Sequence, residues 1–209
     1  MARVLPAILA ATKVEYDEKL AVVRQLTDRF QLDVIDGQFV DNKTVNLVEI
    51  EKIGGIKIDL HLMVNDPVAF AKAASRLMPH LVIVQYECGQ DVVVVLKSVK
   101  VAGQKVGLAI NPQTTVEEIK ELLPEIDHLL IMMYPAGFAG QTFEADNLVK
   151  IAQARAIRPD LEIGIDGGVN SASLAKIAQA KPDIVNVNSY LFEADDPASR
   201  YSELMEALK

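Results

Sequence analysis

Residues 32–37 read LDVIDG and residues 163–169 read IGIDGGV, so each stretch places an aspartate, Asp33 or Asp166, among aliphatic residues at or shortly before a glycine. An acidic side chain at the point where a strand passes into a loop is typical of the C-terminal mouth of a (β/α)₈ barrel, where that fold places its chemistry. Two such carboxylates, Asp33 and Asp166, predict a paired acid and base at one mouth.

Short β-branched segments alternate with longer amphipathic segments along the chain. Eight such units in 209 residues predict a single (β/α)₈ barrel domain over residues 1–209. An open, doubly wound sheet is the structural alternative, but the Gly-x-Gly-x-x-Gly that usually follows its first strand is absent from the sequence. The strands are expected near residues 3–9, 30–36, 56–63, 80–86, 105–110, 127–133, 161–166 and 183–188.

The composition restricts the class of protein. Half of the chain is hydrophobic and the formal net charge is −8. That charge argues against nucleic acid or a membrane surface as a partner, because both require a basic surface. The sequence contains no long apolar run and does not open like a secretory signal, so we expect a soluble, cytoplasmic protein. The single cysteine, Cys88, fits a reducing compartment and is expected to be a buried spacer.

Strand alternation places several polar side chains on the inward face of the predicted barrel. Gln31 and Asp33 share one face of the second strand, and Asp59 and His61 share one face of the third. Inward polar groups are costly unless they are paired or bind something. The pattern therefore predicts that Asp33, His61 and Asp166 converge at one mouth. Asp59 lies deeper in its strand and is expected to support this site.

These residues belong to longer motifs that resemble the ribulose-phosphate 3-epimerases, a family of phosphate-binding TIM barrels. The resemblance covers the full length of the chain. The motifs that carry it are PAILAA (6–11), LDVIDGQFVDN (32–42), DLHLMV (59–64), INP (110–112), GFAGQTF (137–143) and DGGVN (166–170).

The resemblance implies an isomerase of carbohydrate metabolism, in the pentose phosphate reactions. Such an enzyme epimerises a ketose phosphate at C3, converting D-ribulose 5-phosphate to D-xylulose 5-phosphate or acting on a close analogue. Asp33 is implied as the base and Asp166 as the acid, with the roles exchanged in the reverse direction. A divalent metal (Zn, Mn, Mg or Fe) is implied as the cofactor, held by Asp33, His61 and Asp166. The resemblance also implies a homo-oligomer.

The chain departs from the family pattern at several positions near the predicted mouth, Met133 and Tyr134 among them. Gln31 stands where the family has its first metal-binding histidine, and its amide oxygen is expected to be a weak fourth ligand. An oxygen in place of a nitrogen favours Mn²⁺ or Mg²⁺ over Zn²⁺. Ala7 replaces a serine that contacts substrate in the family, and Asn188 replaces the glycine of a Gly-Ser pair that binds phosphate.

The predicted substrate and phosphate site lies in the loops that follow the later strands. Glycines allow backbone N–H groups to approach an anion closely, and such a local site reconciles an anionic sugar phosphate with an acidic protein. The residues expected to contact substrate or phosphate are Ala7, His61, Met63, Met132, Gly137, Phe138, Ala139, Gly140, Gly167, Gly168, Asn188 and Ser189.

Three functions are compatible with the motifs. The first is the epimerase, which the retention of both aspartates favours. The second is a non-catalytic or regulatory relative that binds a phosphosugar but has lost the metal site, which Gln31 and Ala7 favour. The third is a lyase of a related barrel type. We discount the lyase because those barrels carry Asp-x-Lys-x-x-Asp on the third strand, and residues 59–64 lack both the lysine and the second aspartate.

Overall fold

Eight parallel strands close into a barrel in the computed structural model, which describes residues 2–101 and 103–209. Each strand pairs with the next along the chain, and the last pairs with the first. The predicted (β/α)₈ fold is confirmed, and each predicted strand agrees with the observed one to within one residue at either end. The strands are β1 Arg3–Ile8, β2 Arg29–Ile35, β3 Lys57–Met63, β4 Leu81–Gln85, β5 Lys105–Ile110, β6 His128–Met132, β7 Glu162–Asp166 and β8 Ile184–Val187.

The helices lie between and after the strands, on the outside of the barrel. Several begin at a capping side chain; the Thr12 hydroxyl accepts from the Glu15 N–H at the start of the first helix, for example. None of the helices in the described ranges is long and apolar enough to cross a membrane. The α-helices are α1 Lys13–Leu26, α2 Pro67–Ala74, α3 Val92–Val101, α4 Val116–Ile119, α5 Val149–Ile157, α6 Leu174–Ala180, α7 Ser189–Phe192 and α8 Pro197–Ala207.

The two faces of the sheet bury different residues. The outward face carries aliphatic side chains such as Leu32 and Leu60, which pack beneath the helices in the larger apolar cluster. The inward face carries a smaller cluster and the polar residues of interest. Ile35, Met63, Leu81, Ile83, Ala109, Leu130, Met132 and Ala136 form that inner cluster. Because the strands are parallel and in register, the inward side chains of Asp33 and His61 lie side by side near the C-terminal end of the barrel, one inward position below Ile35 and Met63.

A buried ionic network occupies the opposite, N-terminal end of the barrel. Arg29 Nε donates to Asp59 Oδ2 at 2.8 Å, and Arg29 Nη2 donates to Glu162 Oε1 at 2.8 Å. His128 Nδ1 lies 3.0 Å from the same Glu162 oxygen. Burial raises the pKa of Asp59 to about 6, although Arg29 acts in the opposite direction. Burial acts to raise the pKa of Glu162 as well, but hydrogen bonds with His128 and Arg29 outweigh it and hold that pKa below its usual range.

This network corrects the role expected for Asp59. The side chain shares the inward face of β3 with His61, as predicted, but its partner is Arg29 at the base of the barrel. The reason is depth along the barrel axis, because Asp59 sits one inward position below His61 and faces the layer that holds Arg29. Cys88 is buried, as expected.

Candidate active site

Three of the predicted side chains converge at the C-terminal mouth of the barrel. Asp33 comes from β2, His61 from the neighbouring β3 and Asp166 from the end of β7. One potential ligand atom from each residue lies within 4.8 Å of the others. All three side chains are buried. The chain thus places two carboxylates and an imidazole close enough to share a cation or a proton-transfer reaction.

Gln31 bridges the two carboxylates from below. Its Nε2 donates to Asp33 Oδ1 at 2.8 Å and to Asp166 Oδ2 at 2.5 Å. The residue lies next to the carboxylates, where a ligand was expected, but it presents its NH₂ group to them and not its oxygen. The electrostatic reason is that an amide N–H stabilises neighbouring negative charge, whereas an amide oxygen would repel it. The buried Oε1 of Gln31 has no hydrogen-bond partner among the described residues.

His61 is held between Asp33 and a residue that the sequence did not single out, Gln85. His61 Nδ1 lies 3.0 Å from Asp33 Oδ1, and His61 Nε2 lies 2.9 Å from Gln85 Nε2. Gln85 is the last residue of β4 and is fully buried. A usable signal existed, because Leu81, Ile83 and Gln85 share the inward face of this strand, and a polar residue there needs a partner.

Burial and like charge shift the acid–base behaviour of the mouth. Burial, together with the Asp33 carboxylate, raises the pKa of Asp166 to about 7, while His61 and the Gln31 amide act to lower it. Burial, with Asp166 and Asp33 adding to it, also raises the pKa of the Tyr134 hydroxyl well above its usual value. The direction of the Asp166 shift is the one that a general acid acting near neutral pH requires.

A narrow cavity of about 30 Å³ opens directly above these side chains. Met63 and Met132 form part of its wall, as predicted, and the half-exposed Phe138 lies at its rim. Leu9 and Tyr134 also contribute. The lining residues are Leu9, Asp33, His61, Met63, Met132, Tyr134, Gly137, Phe138, Ala139, Asp166 and Asn188.

A larger adjoining cavity, of about 240 Å³, lies over the ends of β7 and β8. The predicted phosphate-binding residues Gly140, Gly167, Gly168, Asn188 and Ser189 line it. Asp166, Asn188 and Tyr134 line both cavities, so the two spaces meet at the reactive carboxyl. Asn186, which pairs in register with Asp166, lines the larger cavity as well. A ligand with an anionic end and a reactive centre would span the two cavities.

Three glycines in these loops have a positive φ and too little room for a Cβ: Gly137, Gly167 and Gly168, where a Cβ would lie 2.8 Å from Phe143 Cβ. Gly137 has φ +121°, and a Cβ there would lie 2.5 Å from Val40 Cγ2. Gly167 has φ +105°, and a Cβ there would lie 2.7 Å from the Tyr134 ring. Asn188 departs from glycine without this difficulty, because the positive-φ non-glycine residues of the described chain are Met78 and Lys181.

Ala7 is the predicted contact residue that lies apart from the others. It pairs in register with Gln31, is fully buried on β1, and lines neither cavity. Leu9, two positions further along, reaches the smaller cavity in its place. Contact between Ala7 and a substrate stays a prediction.

A closed parallel barrel with a carboxylate pair at its C-terminal mouth and a glycine-lined cavity beside it defines an enzyme of the (β/α)₈ class. Residues 3–192 match the model of the Ribulose-phosphate 3 epimerase family. The chain belongs to that family, and it is an isomerase of the epimerase type.

Named relatives agree with this assignment, and a solved structure agrees with the fold. The chain is 32% identical to the ribulose-phosphate 3-epimerase of Mycobacterium tuberculosis over 96% of its own length and 90% of that protein. It is 30% identical to the Helicobacter pylori enzyme of the same name, over 93% and 92%. The barrel also resembles 3-hexulose-6-phosphate synthase from Salmonella typhimurium, with a TM-score of 0.74, 19% identity, and coverage of 99% and 98%. That last likeness concerns the fold alone.

Proposed function

We propose that this protein epimerises a ketose phosphate at C3, interconverting D-ribulose 5-phosphate and D-xylulose 5-phosphate or a close analogue. The observation that carries the proposal is the pair of carboxylates, Asp33 and Asp166, joined by one bridging amide at the barrel mouth. The names of the relatives support the choice of substrate.

In this mechanism the two carboxyl groups act on opposite faces of the substrate carbon. Asp33 removes the C3 proton, and the electron pair of the broken C–H bond moves toward the C2 carbonyl oxygen. Asp166 then delivers a proton to C3 from the other face, and the roles exchange in the reverse direction. Assigning the acid to Asp166 rests on its pKa, which burial and the nearby Asp33 raise to about 7.

The residues at the mouth fit a divalent cation. Asp33, His61 and Asp166 would hold it, and the Gln31 amide oxygen, which lacks a partner among the described residues, would be the fourth donor after a half-turn of that amide. When bound, the cation would supply Lewis-acid stabilisation of the negative charge that develops on the substrate oxygens. Two carboxylates, one imidazole and one amide oxygen suit Mn²⁺ or Mg²⁺ better than Zn²⁺.

The larger cavity is the proposed phosphate site. Gly167, Gly168, Asn188 and Ser189 line it, and their backbone N–H groups would receive an anion without a basic side chain. An anchored phosphate would fix the distance from the anchor to C3 and so hold C3 between the two carboxylates. Each part of the substrate is thereby matched to one of the two connected cavities.

Deuterium exchange tests the proposal. Purified protein is incubated with D-ribulose 5-phosphate in D₂O, with Mn²⁺, Mg²⁺, Zn²⁺ or a chelator, and NMR follows deuterium entry at C3; because Mn²⁺ is paramagnetic, that reaction is quenched and its ion removed before recording. We expect cation-dependent exchange with formation of D-xylulose 5-phosphate. An absence of exchange under every condition, in a protein that binds the substrate, would contradict the epimerase.

That contradicting result would favour a second function, a non-catalytic phosphosugar-binding relative. The supporting observation is that the Gln31 NH₂ group already bridges Asp33 and Asp166 and so takes part of a cation's place. Titration calorimetry with the same sugar phosphate separates the two functions, because the binder retains affinity without turnover.

Self-association and a cytoplasmic location stay predictions. The family resemblance supports the first, and the composition of the chain supports the second. Analytical ultracentrifugation of the purified chain tests the oligomeric state.

A further inference from the structure

Two glutamines in contact with the carboxylate and imidazole cluster each have a buried amide oxygen without a hydrogen-bond partner among the described residues. These oxygens are Oε1 of Gln31 and Oε1 of Gln85, and Oδ1 of Asn186, beside Asp166 on β8, is a third nearby. Buried polar atoms are ordinarily satisfied, so an orphaned acceptor needs a physical explanation. The two glutamines lie at opposite ends of one hydrogen-bond chain, Gln31–Asp33–His61–Gln85, so one explanation can account for both unpartnered oxygens.

The observed hydrogen bonds direct donors toward the negative charge. Gln31 Nε2 donates to both carboxylates, and Gln85 Nε2 faces His61 Nε2 at 2.9 Å. An amide NH₂ can only donate, so His61 Nε2 must accept, and the ring proton of the neutral imidazole then lies on Nδ1. That proton points at Asp33 Oδ1, 3.0 Å away. This arrangement suits two carboxylates with no cation between them.

A cation at the mouth requires Gln31, His61 and Gln85 to exchange hydrogen-bond donors for acceptors, or acceptors for donors, at the atoms that now face one another. For His61 Nδ1 to be a ligand, its lone pair must face the cation, so the ring proton must lie on Nε2. That N–H would then face the Gln85 NH₂ group, donor against donor. A half-turn of the Gln85 amide exchanges its nitrogen and oxygen without altering the packing, and it offers Oε1 as the acceptor.

The same half-turn applies to Gln31. It would bring Oε1 to the position that Nε2 now occupies beside Asp33 and Asp166. Three oxygens facing one another repel unless a cation lies between them, so the turn is favourable only when the cation is present. Both orphaned oxygens acquire a partner in this second arrangement.

We propose that Gln31, His61 and Gln85 form a two-state hydrogen-bond chain in which cation binding turns both amides and moves the His61 proton from Nδ1 to Nε2. Gln85 is a positioning residue in this chain, since it acts on the cation through His61. The proposal rests on the proposed function only in taking the Asp33, His61 and Asp166 cluster as the metal centre. Its consequence is a mouth that directs amide donors toward the carboxylates and His61 without the cation, and amide oxygens toward the cation and His61 with it.

Long-range ¹H–¹⁵N NMR of the imidazole rings tests the chain in the wild-type protein, at a pH where the histidines are neutral. The sequence has three histidines, and His80 and His128 lie outside both cavities and act as internal references. We expect His61 to carry its proton on Nδ1 after chelation and on Nε2 after addition of the diamagnetic ion Zn²⁺. Nε2–H in the chelated protein, Nδ1–H with Zn²⁺ bound, or no Zn²⁺ binding would each overturn the proposal.

Two variants of Gln85 separate the effect of its hydrogen bond with His61 from the effect of its packing. Gln85→Met keeps the length of the side chain without a donor or an acceptor, and we expect it to weaken Zn²⁺ affinity about tenfold by titration calorimetry. Gln85→Glu offers only acceptors when ionised, and we expect His61 to hold its proton on Nε2 even without Zn²⁺. Wild-type behaviour in both variants would refute the role of Gln85. Neither readout depends on turnover, so deuterium exchange with D-ribulose 5-phosphate reports on the proposed function separately.

Discussion

Gln31 donates a hydrogen bond to Asp166 across the barrel mouth, from Nε2 to Oδ2 at 2.5 Å, although 135 positions separate the two residues in sequence. The same nitrogen donates to Asp33. The neutral NH₂ group of Gln31 thus lies between the two carboxyl groups, where a cation would otherwise be needed to hold them together. This relationship explains how a chain without the family's first metal-binding histidine keeps both aspartates close together.

Replacing Gln31 with histidine tests whether this position is a ligand site. We expect Gln31→His to raise Zn²⁺ affinity by about tenfold or more, because Zn²⁺ binds an imidazole nitrogen more strongly than an amide oxygen. Titration calorimetry measures the change, with Gln31→Met as the matched control that offers neither ligand. Equal Zn²⁺ affinity in Gln31→His and wild type would show that the side chain does not reach the cation.

The pKa of Asp166 predicts a specific pH dependence of stability. Because burial and Asp33 raise it to about 7 in the folded chain, against about 3.9 for an unperturbed aspartate, the folded state holds this proton more tightly than the unfolded state does. The contribution to stability is complete below the unfolded pKa and is lost as the pH rises toward 7.

Asp166→Asn should remove that pH-dependent loss, since the amide cannot ionise. Urea unfolding of the chelated proteins at pH 5 and at pH 8 measures it. We expect the free energy of unfolding of the variant to exceed that of wild type more at pH 8 than at pH 5. An equal difference at the two pH values would mean that Asp166 is not the group with the raised pKa.

The proton-transfer roles predict large losses of activity without loss of the fold. Asp33→Asn and Asp166→Asn should each lower kcat by about a thousandfold, because an amide neither removes nor delivers the proton. Asp160→Asn is the control, since the Asp160 side chain is 81% exposed and far from the mouth. Circular dichroism confirms folding. Turnover within tenfold of wild type in either active-site variant would rule out the two-carboxylate mechanism.

Local signals in the sequence were sufficient for the fold and for the central residues of the site. Alternation along β2 and β3 placed Asp33 and His61 on the inward face, and strand endings placed Asp166 at the mouth. These features depend on neighbours in the chain, so they can be read without the structure.

Partners far apart in sequence could not be read in the same way. Gln85 ends an apolar strand with no motif around it; its inward position signals that it needs a partner, but the identity of that partner follows only from the 2.9 Å contact with His61. Asp59 lies on the predicted inward face, but its depth in the barrel brings it to Arg29 and not to the mouth. Arg29 in turn binds Glu162, which is 133 positions away in the sequence. Register between strands is a property of the closed barrel and not of any one segment.

The phosphate cavity depends on backbone that only glycine tolerates. Gly167→Ala forces a Cβ to within 2.7 Å of the Tyr134 ring at φ +105°. We expect about a tenfold rise in KM for D-ribulose 5-phosphate, with a smaller effect on kcat, because the loop must move away from the anion. Gly54→Ala is the matched control, since nothing lies within 4 Å of a Cβ there. Equal KM values in the two variants would place the phosphate elsewhere.

The ionic network at the base of the barrel should affect stability and leave the chemistry unchanged. Arg29→Met leaves the buried Asp59 carboxylate without its partner, and we expect a loss of roughly 3–5 kcal/mol in the free energy of unfolding at pH 7. The loss should be smaller at pH 5, because the Asp59 pKa, already about 6 with Arg29 present, rises further without it and the carboxyl is then neutral. Urea unfolding at both pH values measures this, and the double variant Arg29→Met/Asp59→Leu should recover part of the loss. A pH-independent loss, or a lowered kcat in folded protein, would contradict a purely structural network.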